Sequence, residues 1–547
     1  VKIALLCSTV RSVCFLLLAC AFPSLRADEK TNPFALLNTS HALSAAADIT
    51  PEKYPNCDTV TVDEKNVQVY KKDGTGVNQD EEFVKILTEK GKKDRRTIAL
   101  HYRLPYSTVE IPLVEIIKPN GSVQKVNVAA NAKESIDSGE MAANIYDPSA
   151  KVLEVNIPSL EVGDLIHDVS RTITSRAIVP GEFADGNVFE GTGAIRHLVY
   201  EVHSPPDKPL RHIVCRDEIP GTLKKTTQTG ENGTVIHRWE VSQVPRMFPE
   251  PKMPPSEDVL QRVQVSTTQT WQDISKWYWE LSRPHLEALT PELKKKVADL
   301  TRDTHDDLGK IQTLFYYVSQ NIRYMGVTPE KDRPGFEPHD VCLTFDKKYG
   351  VCRDKATLLV AMLREAGFKA WPALVSVGSR KDPEVPDAGF NHAIAAVELK
   401  DGEYTLMDPT DEHARDLFPS YDGNQSYLVA KPGGETIHTS PVVPPDQNMI
   451  RIRTTGTLEP SGELRANSEF LFDGINDDAY RGAFSQMRPD DRRRFFESRL
   501  QAAVPGAKLT SLKLTPENIL DVTEKLRGEI EFSATGMTAT GNGKAVV

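Results

Sequence analysis

The sequence predicts a multidomain α+β protein: an N-terminal antiparallel β-sandwich, a central α+β core, and a C-terminal β-rich domain with helices. Three observations carry this. Alternating strand-like segments separated by turn dipeptides fill residues 59–244. Proline clusters at Pro245–Pro255 and Pro441–Pro445 divide the chain into three parts. Between them a long helical pattern gives way to an apolar helix headed by a cysteine, and then to short strands. At 39% hydrophobic and 26% charged residues over 547 positions, the chain has the balance of several folded domains.

The N-terminus reads as an export signal. Lys2 and Arg11 precede an apolar run, Val13 to Phe22, and polar sequence begins near Asp28. The run has the length of a signal h-region and is too short to span a bilayer. Two processing sites compete. Ser24-Leu25-Arg26-Ala27 gives a signal peptide over 1–27, whereas Leu17-Leu18-Ala19-Cys20, with an unusual leucine at Leu18, resembles a lipoprotein box ending the signal at 19. Both predict an exported protein of the periplasm or cell envelope, and the second adds membrane attachment through a lipid on Cys20. Val1 stands where Met is usual, as in an alternative start or a trimmed fragment. Residues 28–58 read as a linker with at most one short helix.

In the sandwich, Ser122 to Val128 and Val152 to Ile157 alternate, and Asn120-Gly121, Gly163-Asp164 and Asn232-Gly233 mark turns. His101, His197, His203 and His212 are spread without ligand spacing. A proline-rich linker occupies 245–258 and the core 259–439. Helices run from Trp271 to near Arg323. Thr290 caps one that starts at Pro291, and Asp307 to Asn321 forms another with Ile311, Leu314, Phe315 and Val318 on one stripe. After the cysteine helix come strands at Ala373–Val377, His392–Leu399 and Tyr404–Met407. The C-terminal domain, 440–547, reads as strands Ile450–Leu458 and Leu464–Phe472, helices Asp477–Met487 and Pro489–Ala503, and a strand Leu526–Ala534. It ends strand-like at Ala545-Val546-Val547, as an incomplete domain would.

A net charge of −11 with no basic, aromatic-interleaved run excludes a nucleic-acid binder. Of seven cysteines, Cys7, Cys14 and Cys20 lie in the signal. Cys57, Cys215, Cys342 and Cys352 are scattered without a C-x-x-C pair, which argues against a zinc site or a disulfide framework. A Cys342–Cys352 disulfide is less expected than a small buried side chain. No metal or cofactor is implied.

The chemistry concentrates at Tyr349-Gly350-Val351-Cys352-Arg353-Asp354-Lys355. A cysteine at a helix mouth meets unpaired N–H groups and the positive dipole end, which favour the nucleophilic thiolate. Gly350 permits the tight entry, and Asp354 suits the first turn. Leu358, Leu359, Met362 and Leu363 anchor the helix, and Gly367 ends it. A buried structural cysteine is the competing reading. His392 opens an apolar strand, and Asp408 closes the next. Strand start and next strand's end share one rim of a hairpin, where imidazole and carboxylate can meet. Facing is a matter of parity. A three-residue loop Lys400-Asp401-Gly402 pairs Leu399 with Glu403, puts both side chains on one face, and calls for positive φ at Gly402. An Asp before Pro is often only a turn residue, and Asp411, Glu412 and His413 compete for the role.

The segments Tyr349 to Ala366, Phe390-Asn391-His392-Ala393 and Leu406-Met407-Asp408-Pro409-Thr410 resemble the transglutaminase-like core, a superfamily with a papain-like Cys-His-Asp arrangement. With Asn321-Ile322-Arg323-Tyr324 and the N-terminal β domain, the layout is similar to bacterial exported proteins that fuse a DUF3857 domain to this core. Val351 departs from the Asp common there. The resemblance implies Cys352 as nucleophile, His392 as base and acid, and Asp408 as orienting carboxylate. The oxyanion would be met by the Cys352 N–H and one upstream donor, Tyr324 or Gln320, between which the sequence does not choose. Arg353 and Lys355 are expected to be solvated surface charges that could also favour the thiolate. The implied function is an exported cysteine peptidase or acyltransferase acting on peptide or protein amide bonds, with hydrolysis favoured over amine transfer. The alternative is an envelope binding or assembly module with a weakly active or inactive core.

Overall fold

A computed structural model describes residues 32–330, 332–400, 402–537, 539–541 and 544–546. The expected signal over 1–27, with Cys20, lies outside the described residues, as do Asp401 and Val547. Residues 1–36 form a separate small unit, whose described part is a turn closed by the Ala35 N–H donating to Asn32 O at 3.0 Å. Everything from Leu37 onward is one compact unit. No helix among the described residues is long and apolar enough to cross a membrane.

The N-terminal region is built on an eight-stranded sheet that starts with Thr59–Tyr70 and Gly76–Ile86. Thr59–Tyr70 buries Val60, Val62, Val67 and Tyr70, and Gly76–Ile86 buries Phe83, Val84 and Ile86 together with the polar Gln79 and Glu81. The expectation of a purely antiparallel sheet needs one correction. Thr59–Tyr70 pairs in parallel with Ala194–Ser204, because the chain passes through the other strands before returning beside the first. Two three-stranded sheets pack on the large one. Val263 and Val265 of one join Phe189, Tyr200 and Trp239, and Ile98, Leu100 and Leu153 of the other join Val84, Ile116 and Ile166. Residues 37–58 carry the anticipated short helix, Thr39–Ala47. Its Ala42 and Ala46 are packed with Val60, Phe83 and Leu165, so this segment is part of the core. Beyond the proline-rich link, Arg262–Ser266 turns back to pair between Ala184–Val188 and His212–Arg216. The N-terminal sheets thus extend into residues whose sequence pattern places them in the core.

The central region packs helices Trp271–Leu286, Pro291–Thr301, Asp307–Asn321 and Cys352–Glu365 against a five-stranded antiparallel sheet. The cysteine helix is its axis. Arg353 through Leu363 are all buried, and Leu358, Leu359, Met362 and Leu363 have no exposed surface. Gly367, at φ +94°, ends it, with the Phe368 N–H returning to Leu363 O. The helix lies against His392–Lys400 and Ala370–Ser376, and this fixes the distance from its mouth to the hairpin rim. In the hairpin, Ala395 pairs with Met407, Val397 with Thr405 and Glu398 with Tyr404, the register expected from parity. The turn itself differs. Lys400, rather than Leu399, pairs with Glu403, and Leu399 is the extra residue of a bulge, while Gly402 does adopt φ +79°. The bulge absorbs the odd residue, so the facing of the hairpin body is unchanged.

The C-terminal region is a four-stranded sheet with helices Ile475–Gln486 and Pro489–Ala503 packed on it through Phe472, Phe484 and Phe496. Its Lys508–Thr515 strand carries no clear sequence signal. At its centre Arg481 is wholly buried. It donates to Asp477 Oδ1 at 2.7 Å and to the carbonyls of Ile519, Asp521 and Glu524 at 2.6–2.9 Å. Replacing Arg481 with Ala removes the cationic partner of the buried Asp477 carboxylate, which keeps only the Leu526 N–H at 2.7 Å, and takes the donor from three carbonyls. Chemical denaturation of the variant should show a loss of about 3–5 kcal/mol, the usual cost of breaking a buried ion pair on one side; a loss under about 1 kcal/mol would refute this account.

Candidate active site

Cys352 is the first residue of its helix, after the extended cap residue Val351. Asp354 locks this start. Its Oδ2 accepts the Val351 N–H at 3.0 Å, while Oδ1 accepts the His339 N–H at 2.9 Å. The tight approach at Gly350 is obligatory, since a Cβ there would lie 2.6 Å from Asp354 Cβ. Val351 is buried and apolar, so it adds no charge at the helix mouth. Cys352 itself keeps part of its surface open, as does His392, whereas Asp408 has none exposed.

His392 opens its strand opposite Val375. Extending the hairpin register puts Asp408 opposite Ile394, on the face His392 occupies. His392 Nε2 lies 3.1 Å from Asp408 Oδ2, which leaves Nδ1 for the thiol, and the Cys352 side chain is near enough to the ring for each to shift the other's ionisation. Asp408 is held from the other side by Thr410, whose N–H and hydroxyl donate to Oδ1 at 3.0 and 2.7 Å. Tyr421 donates its hydroxyl to Oδ2 at 3.1 Å. The three residues thus converge.

The electrostatics are mutually supporting. Burial pushes the Cys352 thiol up, but the hydrogen bond and charge of His392, the Arg353 guanidinium and the Ala393 N–H together bring it below the ordinary thiol value. Burial alone would push His392 down; the charge and hydrogen bond of Asp408, then the thiolate, raise it well above an ordinary imidazole. Burial likewise opposes ionisation of Asp408, and the His392 charge outweighs it, so Asp408 ionises more readily than a free aspartate. Both shifts favour moving the proton from the thiol to the imidazole, with the carboxylate behind the ring.

The oxyanion alternatives separate. The Tyr324 hydroxyl is near enough to Cys352 for both the side chain and the backbone of Cys352 to act on its ionisation, and the Tyr324 backbone N–H is held by Glu412 Oε1 at 3.2 Å. Gln320 is exposed on the preceding helix and spends its amide N–H on Leu520 O at 2.7 Å, away from the sulfur. Arg353 and Lys355 are not solvated, contrary to expectation, because the helix is buried all round. Arg353 pairs with Glu330 and donates to Glu337 O, while Lys355 has no exposed surface and donates to Ser319 O at 3.1 Å. Burial brings the Lys355 ammonium down to about 8 despite the opposing charges of Glu412 and Asp408. Asp411, Glu412 and His413 do not compete with Asp408. Asp411 accepts from His413, and Glu412 serves Tyr324. The described cysteines, Cys57, Cys215, Cys342 and Cys352, are all free thiols.

One residue had no sequence signal. Asp422, in a short turn after the core hairpin, is fully buried, and one of its oxygens lies within 4.8 Å of ligand atoms of both His392 and Asp408.

Comparison with known proteins agrees with this layout. Residues 72–248 match the family model DUF3857, a domain of unknown function with solved structure, and residues 294–409 match the transglutaminase-like superfamily. No curated protein matches the chain. Among solved structures, one from Parabacteroides distasonis ATCC 8503, described as "a putative protease", is 13% identical with a TM-score of 0.56, over 87% of this chain and 93% of its own. One from Cytophaga hutchinsonii, described as "a putative cysteine protease", is also 13% identical but has a TM-score of 0.20, over 44% of this chain and 81% of its own. The periplasmic domain of TgpA from Pseudomonas aeruginosa is 16% identical with a TM-score of 0.17, over 36% and 85%. The first shows a shared fold. This chain joins a DUF3857 region to a transglutaminase-like core in a multidomain α+β arrangement.

The thiolate form of Cys352 should persist as pH falls below the ordinary thiol range and be lost only as pH falls through its lowered value. In His392→Ala the burial penalty remains without its compensation. At neutral pH, alkylation of Cys352 by iodoacetamide should therefore slow by about tenfold or more, one pKa unit being a tenfold change in thiolate. An unchanged rate–pH profile in the variant would disprove the pairing.

Proposed function

We propose that this chain is an exported thiol enzyme that cleaves amide bonds in peptides or proteins through Cys352, His392 and Asp408. The single observation that carries the reading is the meeting of Cys352, at the mouth of its helix, with the His392 ring, whose Nε2 lies 3.1 Å from the buried Asp408 carboxylate. Cys352 Sγ attacks the carbonyl carbon, and the charge that develops on oxygen is met by the Cys352 N–H and the Tyr324 hydroxyl. The His392 imidazolium gives its proton to the leaving nitrogen, so the amine departs and a thioester remains. Water, deprotonated by His392, then attacks the thioester, releasing a carboxylic acid and restoring the thiol. Asp408 holds the ring in one tautomer throughout. Water is favoured as acceptor over a second amine, in line with the protease description of the structure that shares the fold. The apolar run Val13 to Phe22 supports export, with Cys20 as a lipid attachment point if the shorter signal is used.

The test is release of amine from a quenched peptide library by the purified protein, with mass spectrometry of the products. Cys352→Ala should abolish turnover, His392→Ala should lower kcat by about 10²–10⁴-fold, and Tyr324→Phe by about 10²-fold. Incorporation of an added primary amine in place of water would shift the reading to transfer. Full turnover by Cys352→Ala would end it, and absence of turnover together with unselective thiol labelling would leave a binding module.

A further inference from the structure

We propose that Asp422 is a positioning residue of this site: as a neutral carboxylic acid it donates its proton to the Asp408 carboxylate, and the resulting acid–carboxylate pair fixes the oxygen that orients His392. The inference deepens the reading of the triad and starts from an anomaly of packing. Asp422 has no exposed surface, and neither of its oxygens meets an N–H or O–H donor among the described residues. A buried carboxylate left in that state is one of the costliest arrangements a fold can hold. Its polar neighbours are Asp408 and His392, within 4.8 Å. Of these, Asp408 is ionised and already committed to the imidazolium. Two carboxylates this close cannot both carry charge in a dry site, so one of them keeps a proton, and the one without a cationic partner of its own is Asp422.

Asp408 Oδ1 is held by two hydrogen bonds from Thr410, and Oδ2 is the more loosely held oxygen. His392 Nε2 and the Tyr421 hydroxyl both reach Oδ2 at 3.1 Å, longer than charge-assisted hydrogen bonds usually are. An O–H···O bond from Asp422 would add to these two longer contacts and fix the carboxylate that faces the ring. The charged and titratable groups facing this pair are His392 from its strand, Tyr421 from the same turn, and Asp411 and Lys355, whose charges reach Tyr421 and Asp408. Burial, then the Asp408 charge, raises Asp422 to about 8, with His392 opposing. The proton is therefore present at neutral pH and leaves as pH rises through that region. A second negative charge then faces His392, which holds its proton more tightly and becomes a poorer acid toward a leaving amine.

The experiment compares the full-length protein with Asp422→Asn, which keeps a donor but cannot titrate, and Asp422→Leu, which removes the donor. The infrared difference spectrum, wild type minus Asp422→Asn at pH 7, should contain the carbonyl stretch of a protonated carboxylic acid, and the band should vanish as pH rises through about 8. In ¹⁵N-histidine NMR spectra, the Nε2–H resonance of His392, assigned by its loss in His392→Ala, should survive in Asp422→Asn and shift or broaden away in Asp422→Leu. Absence of the infrared band overturns the proposal, because Asp422 is then charged. A His392 resonance unchanged in Asp422→Leu also overturns it, because the ring is then positioned without Asp422. Should the leucine variant fail to fold, the proposal stands or falls on the asparagine variant: a retained resonance and a lost band uphold it. Neither readout depends on turnover, so a Cys352 that resists alkylation would count against the enzymatic reading and leave this one intact.

Discussion

The site depends on one exchange of charge in a half-dry space. A thiolate or an imidazolium alone at the mouth of a buried helix would be expensive to desolvate. Side by side each lowers the cost of the other's charge, and Asp408 behind the ring favours the proton on nitrogen. Each neighbour serves that exchange. Asp354 fixes where the helix begins, Thr410 and Tyr421 fix where the carboxylate points, and Arg353 adds positive potential from within the protein rather than from its surface. The price is a region of unusually dense buried charge at the mouth of the helix.

Much of this was legible in the sequence because it follows from periodicity. The helix Asp307–Asn321 and the strands Ile450–Leu458 and Leu464–Phe472 lie where their apolar spacing puts them, and alternation along the hairpin placed His392 and Asp408 on one face. What resisted reading was decided by tertiary packing. Arg353 and Lys355 look like solvent-facing residues, and only a helix surrounded on every side forces them to find partners inside. The bulge at Leu399 preserves facing while shifting the turn, a compensation that parity alone cannot foresee. Asp422 lies beyond an irregular loop with no pattern to tie it to His392.

The regions flanking the core also act on the site. Between the aspartate and the end of its loop, Glu412 grips the Tyr324 N–H and His413 lies beside Ser485, while the Arg415 N–H donates to Asp478 at 3.2 Å. The loop that follows Asp408 is thus moored to the C-terminal helices on one side and to the oxyanion candidate on the other. On the N-terminal side, the Tyr146 N–H donates to Gly326 O at 2.7 Å, and Arg216 clasps Asp382 with two hydrogen bonds.

That mooring bears on how such a molecule can be dissected. Excising the central segment as an autonomous fragment would cut the Arg415–Asp478 and Gln320–Leu520 tethers at once and leave the post-aspartate loop with Tyr324 as one of its few remaining anchors. In evolutionary terms, the C-terminal module behaves less as an appendage than as a buttress, so recombination that swaps it must carry a compatible loop along.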